Sequence, residues 1–161
     1  MSNRLTALYT PVNEVKHEAI LCHLQTSYET VNLLLHRPFL QYILAQQTAT
    51  STQTRESIPP AIISRAETAI TISMKLISLA RTRQIIDWFS LKQVIIAVFL
   101  VLAASRVLEQ KVPSPGEVVR TMNGATEILA RAANRSESAK RALHLISEVW
   151  IGRKSEDQIS M

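Results

Sequence analysis

Apolar residues recur along this chain at alternating spacings of three and four, which place side chains on one face of an α-helix. Four stretches show this pattern, namely residues 21–35, 62–80, 118–132 and 139–150. A fifth, Val94–Ala104, is apolar throughout, as is typical of a helix surrounded by others. We therefore predict an all-α antiparallel helical bundle of about five to six helices, either whole or part of a larger helical domain.

The first predicted helix begins near Asn13, whose side chain can cap free backbone amides, and ends or kinks at Pro38. A short continuation, Phe39–Gln47, then packs back. The stripe of this helix is predicted to be core and consists of Leu21, Leu24, Tyr28, Val31 and Leu35. The next residues, 48–57, are polar and without periodicity, which predicts an exposed loop.

Prolines and serines mark the middle helices. Pro59 and Pro60 suit the first turn of a helix that runs to about Thr82. After a break at Asp87–Ser90, Ser90 would cap the apolar helix Leu91–Gln110. The stripe predicted for the second helix is rich in small residues and consists of Ile62, Ala66, Ala69, Ser73, Leu76 and Ala80.

The two last helices have the clearest start signals. Ser114 and Glu117 form a capping box with Pro115 at the first helical position, and the helix continues to about Ala133. The final helix starts at Asn134 or Ser136 and is predicted to end at Gly152, which leaves 154–161 as a disordered tail. Their stripes are predicted to be Val118, Met122, Ala125, Leu129 and Ala132, and Ala139, Leu143, Ile146 and Trp150.

Composition narrows the class of protein. The 161 residues, 47% hydrophobic and 19% charged, predict a single domain over 1–161 with one core. Cys22 is the only cysteine, so no internal disulfide or cysteine-based zinc cluster can form, and an intracellular setting is expected. Met1–Tyr9 lacks the features of a secretory signal, and Val94–Ala104 is too short to span a membrane.

No group of residues forms a convincing catalytic or metal site. Glu14 and His17 have the spacing of a di-iron ligand pair, but the second copy that such a site needs is missing, so a surface pair is favoured. Cys22 and His23 are adjacent, and adjacent helical residues point about 100° apart, which favours a buried structural cysteine. We predict no catalytic residue, no metal and no cofactor.

Charged side chains near the C-terminus allow two interpretations. They could form a patch that binds phosphate or an acidic protein, or they could be an ordinary solvated helix face. Glutamates interleaved with the basic residues favour the solvated face. His144 and Glu148 are similarly expected to be a solvated pair one turn apart. The basic residues concerned are Arg131, Arg135, Lys140, Arg141, Arg153 and Lys154.

Several segments, in order, resemble the fungal-specific transcription factor domain, the middle homology region of fungal binuclear zinc-cluster factors. The most specific segment joins Leu24–Tyr28 to Leu33–Leu40, which reads LLLHRPFL. The resemblance spans about Ala19 to Trp150, the back portion of that domain. Its later segments are Ala66–Leu79, Trp88-Phe89 with Val94–Leu102, Glu127–Arg131 and Ser138–Leu143.

The resemblance implies a nuclear, non-enzymatic regulatory module that acts through protein contacts, a homodimer or an unidentified small-molecule ligand. DNA would be reached only indirectly, through a six-cysteine zinc-cluster domain that this chain cannot form. From the residues alone, the HRPF element has a structural role, with Arg37 satisfying carbonyls at a helix end.

Two other functions stay open. One is an interaction module unrelated to transcription, whose surplus apolar helix surface docks a partner helix. The other is an unrecognised enzyme, which would need Tyr28, His36 or Glu127 to converge on a closed apolar cavity.

Overall fold

Five α-helices, and no strand, make up the part of the chain that the computed structural model describes. That part comprises the backbone of residues 11–49, 58–83, 88–107 and 114–159, and the side chains of 17–46, 58–82, 90–105 and 114–149. The predicted all-α helical bundle is confirmed. The helices are α1 (Pro11–Ala49), α2 (Pro60–Arg83), α3 (Trp88–Val107), α4 (Pro115–Ala133) and α5 (Glu137–Ile159).

Helix α3 lies at the centre of the bundle and contacts all four other helices. This confirms the prediction from its all-round apolar sequence, because such a helix has no face suited to water. Among the described helices, α3 included, none has the length and apolar character needed to cross a membrane. Its fully buried side chains include Ala97, Val98 and Val101.

Helix α2 packs against α1, α3 and α4, and small side chains allow this close approach. The Ser73 hydroxyl is buried and donates a hydrogen bond to the Ala69 carbonyl at 2.8 Å, so it is satisfied within the helix. The predicted stripe is confirmed, with Ile62 partly buried and the rest buried, namely Ala66, Ala69, Ser73, Leu76 and Ala80.

Helix α4 begins with the predicted capping box. The backbone amide of Ser114 donates to the Glu117 carboxylate at 2.9 Å, and the amide of Glu117 donates to the Ser114 hydroxyl oxygen at 3.3 Å. The hydrogen bonds from the Ser114 backbone and side chain lower the pKa of the Glu117 carboxyl group. The predicted stripe is buried throughout, at Val118, Met122, Ala125, Leu129 and Ala132.

Helix α1 continues through Pro38 to Ala49, so of the predicted end or kink at Pro38 the end is wrong, and Phe39–Gln47 is part of the same helix. Proline lacks the amide that would bond the Leu34 carbonyl, but Pro38 and Leu34 are both exposed, so water can hydrate that carbonyl. Because Thr48 and Ala49 are helical, the loop predicted at 48–57 does not begin at Thr48. Residues 50–57 of that prediction lie outside the described residues.

Two other predicted boundaries are also wrong. Helix α3 begins at Trp88, and Ser90 is buried within it instead of capping it. Helix α5 continues past Gly152 to Ile159, because a lone glycine costs a helix interior only about 1 kcal/mol and does not by itself end it. The tail predicted at 154–161 is therefore helical up to residue 159, and residues 160–161 are outside the described part. The choice of Ser136 as the cap of α5 is supported by its hydrogen bond from the Ala139 amide at 3.3 Å.

Candidate interaction surface

The apolar stripe of α1 that was predicted to be core lies on the outside of the bundle. We call Leu21, Leu24, Tyr28, Val31 and Leu35 the outer stripe. Their side chains are between 56% and 66% exposed, so the prediction of burial is wrong. Three further apolar residues extend the exposed surface, namely Ile20, Leu34 and Tyr42.

Helix α1 has a second apolar face, roughly opposite the outer stripe, and this face enters the core. Leu40 and Ile43 are at most 1% exposed and Leu33 is 2% exposed. Polar residues share this inner face, and their presence is why the sequence pattern favoured the other side. The inner face consists of Cys22, Thr26, Glu29, Thr30, Leu33, Leu40 and Ile43.

The polar groups of the inner face have partners within the protein. The Glu29 carboxylate, whose side chain is only 5% exposed, forms an ion pair with Lys75 on α2. The Thr30 hydroxyl donates to the Thr26 carbonyl at 2.8 Å. Such pairing removes most of the cost of burying polar atoms, so α1 can dock on α2 through a mixed face.

Helix α1 lies at the edge of the bundle, which explains why the outer stripe is uncovered. Within the described part of the chain, α1 contacts only α2 and α3. Both neighbours pack on the inner face, through groups such as Lys75 on α2. No described residue therefore shields the outer stripe from solvent.

The HRPF element lies in the middle of α1 and bridges its two faces. Phe39 is half-buried and packs against the core, with the Arg65 guanidinium carbon 5.8 Å from the ring centroid. The predicted role of Arg37 at a helix end is wrong because the helix continues. Instead its Nε and Nη2 lie 3.1 and 3.2 Å from the Gln41 amide oxygen, with that amide oriented to accept.

A groove of about 380 Å³ lies between α2 and α4, and it carries both signs of charge. Arg81 Nε donates to Glu127 at 3.0 Å across the groove. A Cβ added at Gly124 would lie 3.2 Å from Arg81 Cδ, so glycine gives the arginine room to lie flat against α4. Because acids neutralise its cations, the groove is better suited to joining two helices than to binding an anion. Its other charged lining residues are Lys75, Glu117 and Arg120.

The described side chains among the residues singled out for metal or nucleophile chemistry form no metal or nucleophile site. His17 is exposed and the Glu14 side chain lies outside the described residues. Within the described residues, no group of three or more histidine, cysteine or acidic side chains could hold a metal ion. Cys22 is free and buried whereas His23 is exposed, so the interpretation of Cys22 as a buried cysteine is confirmed.

The charged residues of α4 and α5 form surface ion pairs, as the solvated-face interpretation predicts. Arg141 lies 3.3 Å from Glu137, and His144 lies 3.4 Å from Glu148. Arg131 lies 3.8 Å from Glu127, which also binds Arg81. Arg135 and Lys140 are exposed, and the side chains of 153 and 154 are outside the described part.

Tyr28, His36 and Glu127, the three residues proposed for an enzyme, are not neighbours. Tyr28 lies on the outer stripe, and Glu127 lies on α4, which does not contact α1 in the described structure. His36 is half-buried, and its Nδ1 has no hydrogen-bond partner among the described residues. The arrangement offers no shared site for these groups.

The exposed outer stripe is thus the feature of the described surface that most needs a functional explanation, because single exposed apolar residues are normal but a contiguous row marks a contact site. The other exposed large apolar residues of the described part are dispersed one to a helix over α2 to α5, at Ile63, Phe99, Val119 and Leu145. No protein-family model, no curated protein and no solved structure matches this chain.

Proposed function

We propose that this protein is a non-enzymatic interaction module that docks a helical protein partner through the outer stripe of α1. The single observation that carries the proposal is the exposure of five apolar side chains at alternating three- and four-residue spacing. A helix presents such a row to a groove or to another helix, and removing it from water is favourable by about 25 cal/mol per Å², against which the cost of association is set.

The side chains of the outer stripe suit a docking surface. Tyr28 has a large apolar ring and a hydroxyl that can stay in water, which is a combination enriched at interfaces. Four aliphatic neighbours provide the shape that excludes water around it. They do so from a long helix whose inner face is anchored in the core, so the surface is held in place before any partner binds.

We further propose that the docking serves transcription regulation in the nucleus, as the resemblance to the fungal transcription factor domain implies. The supporting observation is that the segments carrying the resemblance lie in α1 to α5 in order, and the HRPF element lies at the end of the outer stripe. In this role the module would act through its partner and would read no DNA itself.

The docking proposal is tested with the dye 8-anilinonaphthalene-1-sulfonate and matched leucine variants. At protein concentrations where sedimentation shows a monomer, the native chain should bind the dye, and the double variant Leu24→Gln, Leu35→Gln should lose most of that fluorescence. The control Leu145→Gln changes a leucine that is 48% exposed on α5 and should leave the fluorescence unchanged.

Equal dye binding by the native chain and the double variant would contradict the docking proposal. If the native chain is associated even at the lowest concentration, sedimentation replaces the dye measurement. The double variant should then be less associated than the native chain.

The regulatory proposal needs its own experiment. The chain is fused to an unrelated DNA-binding domain, and transcription of a reporter gene is measured for the native chain, the double variant and Leu145→Gln. The reporter output should change in the double variant only. Tight, sequence-selective binding of the unfused chain to duplex DNA at moderate salt would contradict the proposal.

A further inference from the structure

We infer that the partner at the outer stripe is a second copy of this chain, paired through α1 in an antiparallel helix pair. This inference rests on the proposed docking function and names the occupant of the docking surface. Four observations carry it, namely the periodicity of the outer stripe, its area, its charge and the size of its side chains.

The periodicity is that of a coiled-coil seam. Residues 21, 24, 28, 31 and 35 follow the alternating three-and-four spacing without interruption, and Pro38 and Tyr42 continue it. A repeat of 3.5 residues keeps a stripe facing a partner helix along its length, and the stripes of α2 and α4 use the same repeat to face their neighbours within the bundle. The outer stripe therefore fits another straight helix that has the same repeat, and an identical α1 supplies one.

The exposed area is sufficient for a stable dimer. The outer stripe with Ile20, Leu34 and Tyr42 exposes on the order of 900 Å², and a standard interface takes about 800 Å² from each partner. A two-fold dimer uses the same surface twice, so one stripe on each copy supplies the whole interface.

The charge of α1 favours an identical partner over a charged one. Residues 17–46 contain only three charged residues, and one of these, Glu29, is buried on the inner face. The others are Glu18 and Arg37, so two copies can approach without a row of like charges between them. The whole of α1 has one lysine, Lys16, and one arginine, Arg37, whereas a surface that binds anionic lipid would need a flank of several basic residues.

The side-chain sizes favour an antiparallel pair. In a parallel pair each residue faces its own copy, so Tyr28 would face Tyr28 and Pro38 would face Pro38. In an antiparallel pair centred between Glu29 and Thr30, Tyr28 faces Val31 of the other copy and Leu24 faces Leu35. This arrangement pairs the large Tyr28 with the smaller Val31, avoids a contact of Pro38 with its own copy, and opposes the two helix dipoles.

Sedimentation velocity over a range of concentrations tests the second copy directly with the full chain. The native chain and Leu145→Gln should reach twice the mass of one chain, whereas the double variant Leu24→Gln, Leu35→Gln should stay monomeric. We expect the dissociation constant of the double variant to rise by about a hundredfold or more, because two central contacts are lost in each copy. Far-ultraviolet circular dichroism should show unchanged helix content, since both leucines are exposed in the monomer.

Cysteine cross-linking tests the direction of the pair in a Cys22→Ala background. Mixing Leu24→Cys protein with Leu35→Cys protein should give cross-linked dimers, because antiparallel pairing brings these positions together. Either protein alone should give little product. Efficient cross-linking of Leu24→Cys protein with itself, and no cross-link between Leu24→Cys and Leu35→Cys chains in the mixture, would overturn the antiparallel arrangement.

The remaining outcomes separate this inference from the proposed function. A native monomer whose dye binding depends on the outer stripe would overturn the second copy and leave the docking surface in place. A native monomer with no stripe-dependent dye binding would overturn both. A dimer that the double variant does not weaken would overturn the inference, because another surface would hold the copies together.

Discussion

Helices α1 and α4 carry apolar stripes with the same spacing, yet α4 buries its stripe and α1 exposes its own. In α4, the stripe is the only apolar face, and Met122, Ala125 and Leu129 are fully buried. In α1, a second face that combines Leu33, Leu40 and Ile43 with polar residues enters the core instead. Helical periodicity thus identifies a face that makes contacts, whereas the tertiary structure decides whether those contacts are with the core.

Replacing one leucine in each stripe by alanine should reveal the greatest difference in stability between the two helices. Leu129→Ala should lower the free energy of unfolding by about 2–5 kcal/mol, because it leaves a cavity in the core. Leu35→Ala should change it by less than about 0.5 kcal/mol, because Leu35 is 63% exposed. Urea denaturation at concentrations where both proteins are monomeric measures the difference. Equal losses would show that the outer stripe is part of the core.

A smaller effect tests why the mixed face of α1 can be buried. Lys75→Met removes the cation that pairs with the buried Glu29, and it should cost about 1–3 kcal/mol because the carboxylate loses its charged hydrogen-bond donor. The matched change Arg141→Met removes an exposed ion pair and should cost at most about 0.5 kcal/mol. Thermal and urea unfolding give both values. A neutral Lys75→Met would show that Glu29 needs no partner.

The smallest effect concerns the cap of α4, which has no equivalent among the described residues of α1. Ser114→Ala should cost about 1 kcal/mol, because the amide of Glu117 loses its acceptor. The control Ser138→Ala, at an exposed position in α5, should be neutral or slightly stabilising because alanine is the better helix former. Urea unfolding of the two variants side by side distinguishes the cap from a general effect of removing serine.

The same cap predicts a pH dependence with a definite sign. Folding lowers the pKa of Glu117 below its ordinary value of 4.5, so the carboxylate stabilises the native state above that pH. This stabilisation should be lost as the pH falls through the lower, folded-state pKa. The difference in unfolding free energy between the native chain and Glu117→Gln should therefore shrink on acidification, and a difference that grows would contradict the proposed direction.

The start of α4 and its buried face could both be predicted from the sequence, because the capping residues and the apolar spacing agree. The serine, proline and glutamate at the start of α4 define its first turn, and its single apolar stripe leaves only one face for the core. Both could be predicted because the capping box is a contact between residues three apart in the sequence.

The face of α1 could not be predicted in the same way. The decisive partner of Glu29 is Lys75, 46 residues away on α2, so no window of sequence around α1 contains the reason for its orientation. The end of the first helix was predicted wrongly at Pro38 for a related reason. Proline is expected to end a helix because it has no amide to bond the carbonyl four residues before it. At an exposed position such as Pro38, water can hydrate that carbonyl, which belongs to Leu34, and the helix can continue. The sequence pattern therefore identified the residues of the outer stripe, but it could not show that they are exposed.

Gly124 on α4 lies beside the Arg81 side chain of α2. A Cβ added at Gly124 would lie 3.2 Å from Cδ of Arg81, whose side chain crosses from α2 to Glu127 on α4. Alanine there would favour the helix by its own propensity while its Cβ would push the arginine aside by a few tenths of an ångström. The sign of the change in unfolding free energy on Gly124→Ala thus shows whether the Arg81–Glu127 ion pair contributes more to stability than the higher helix propensity of alanine.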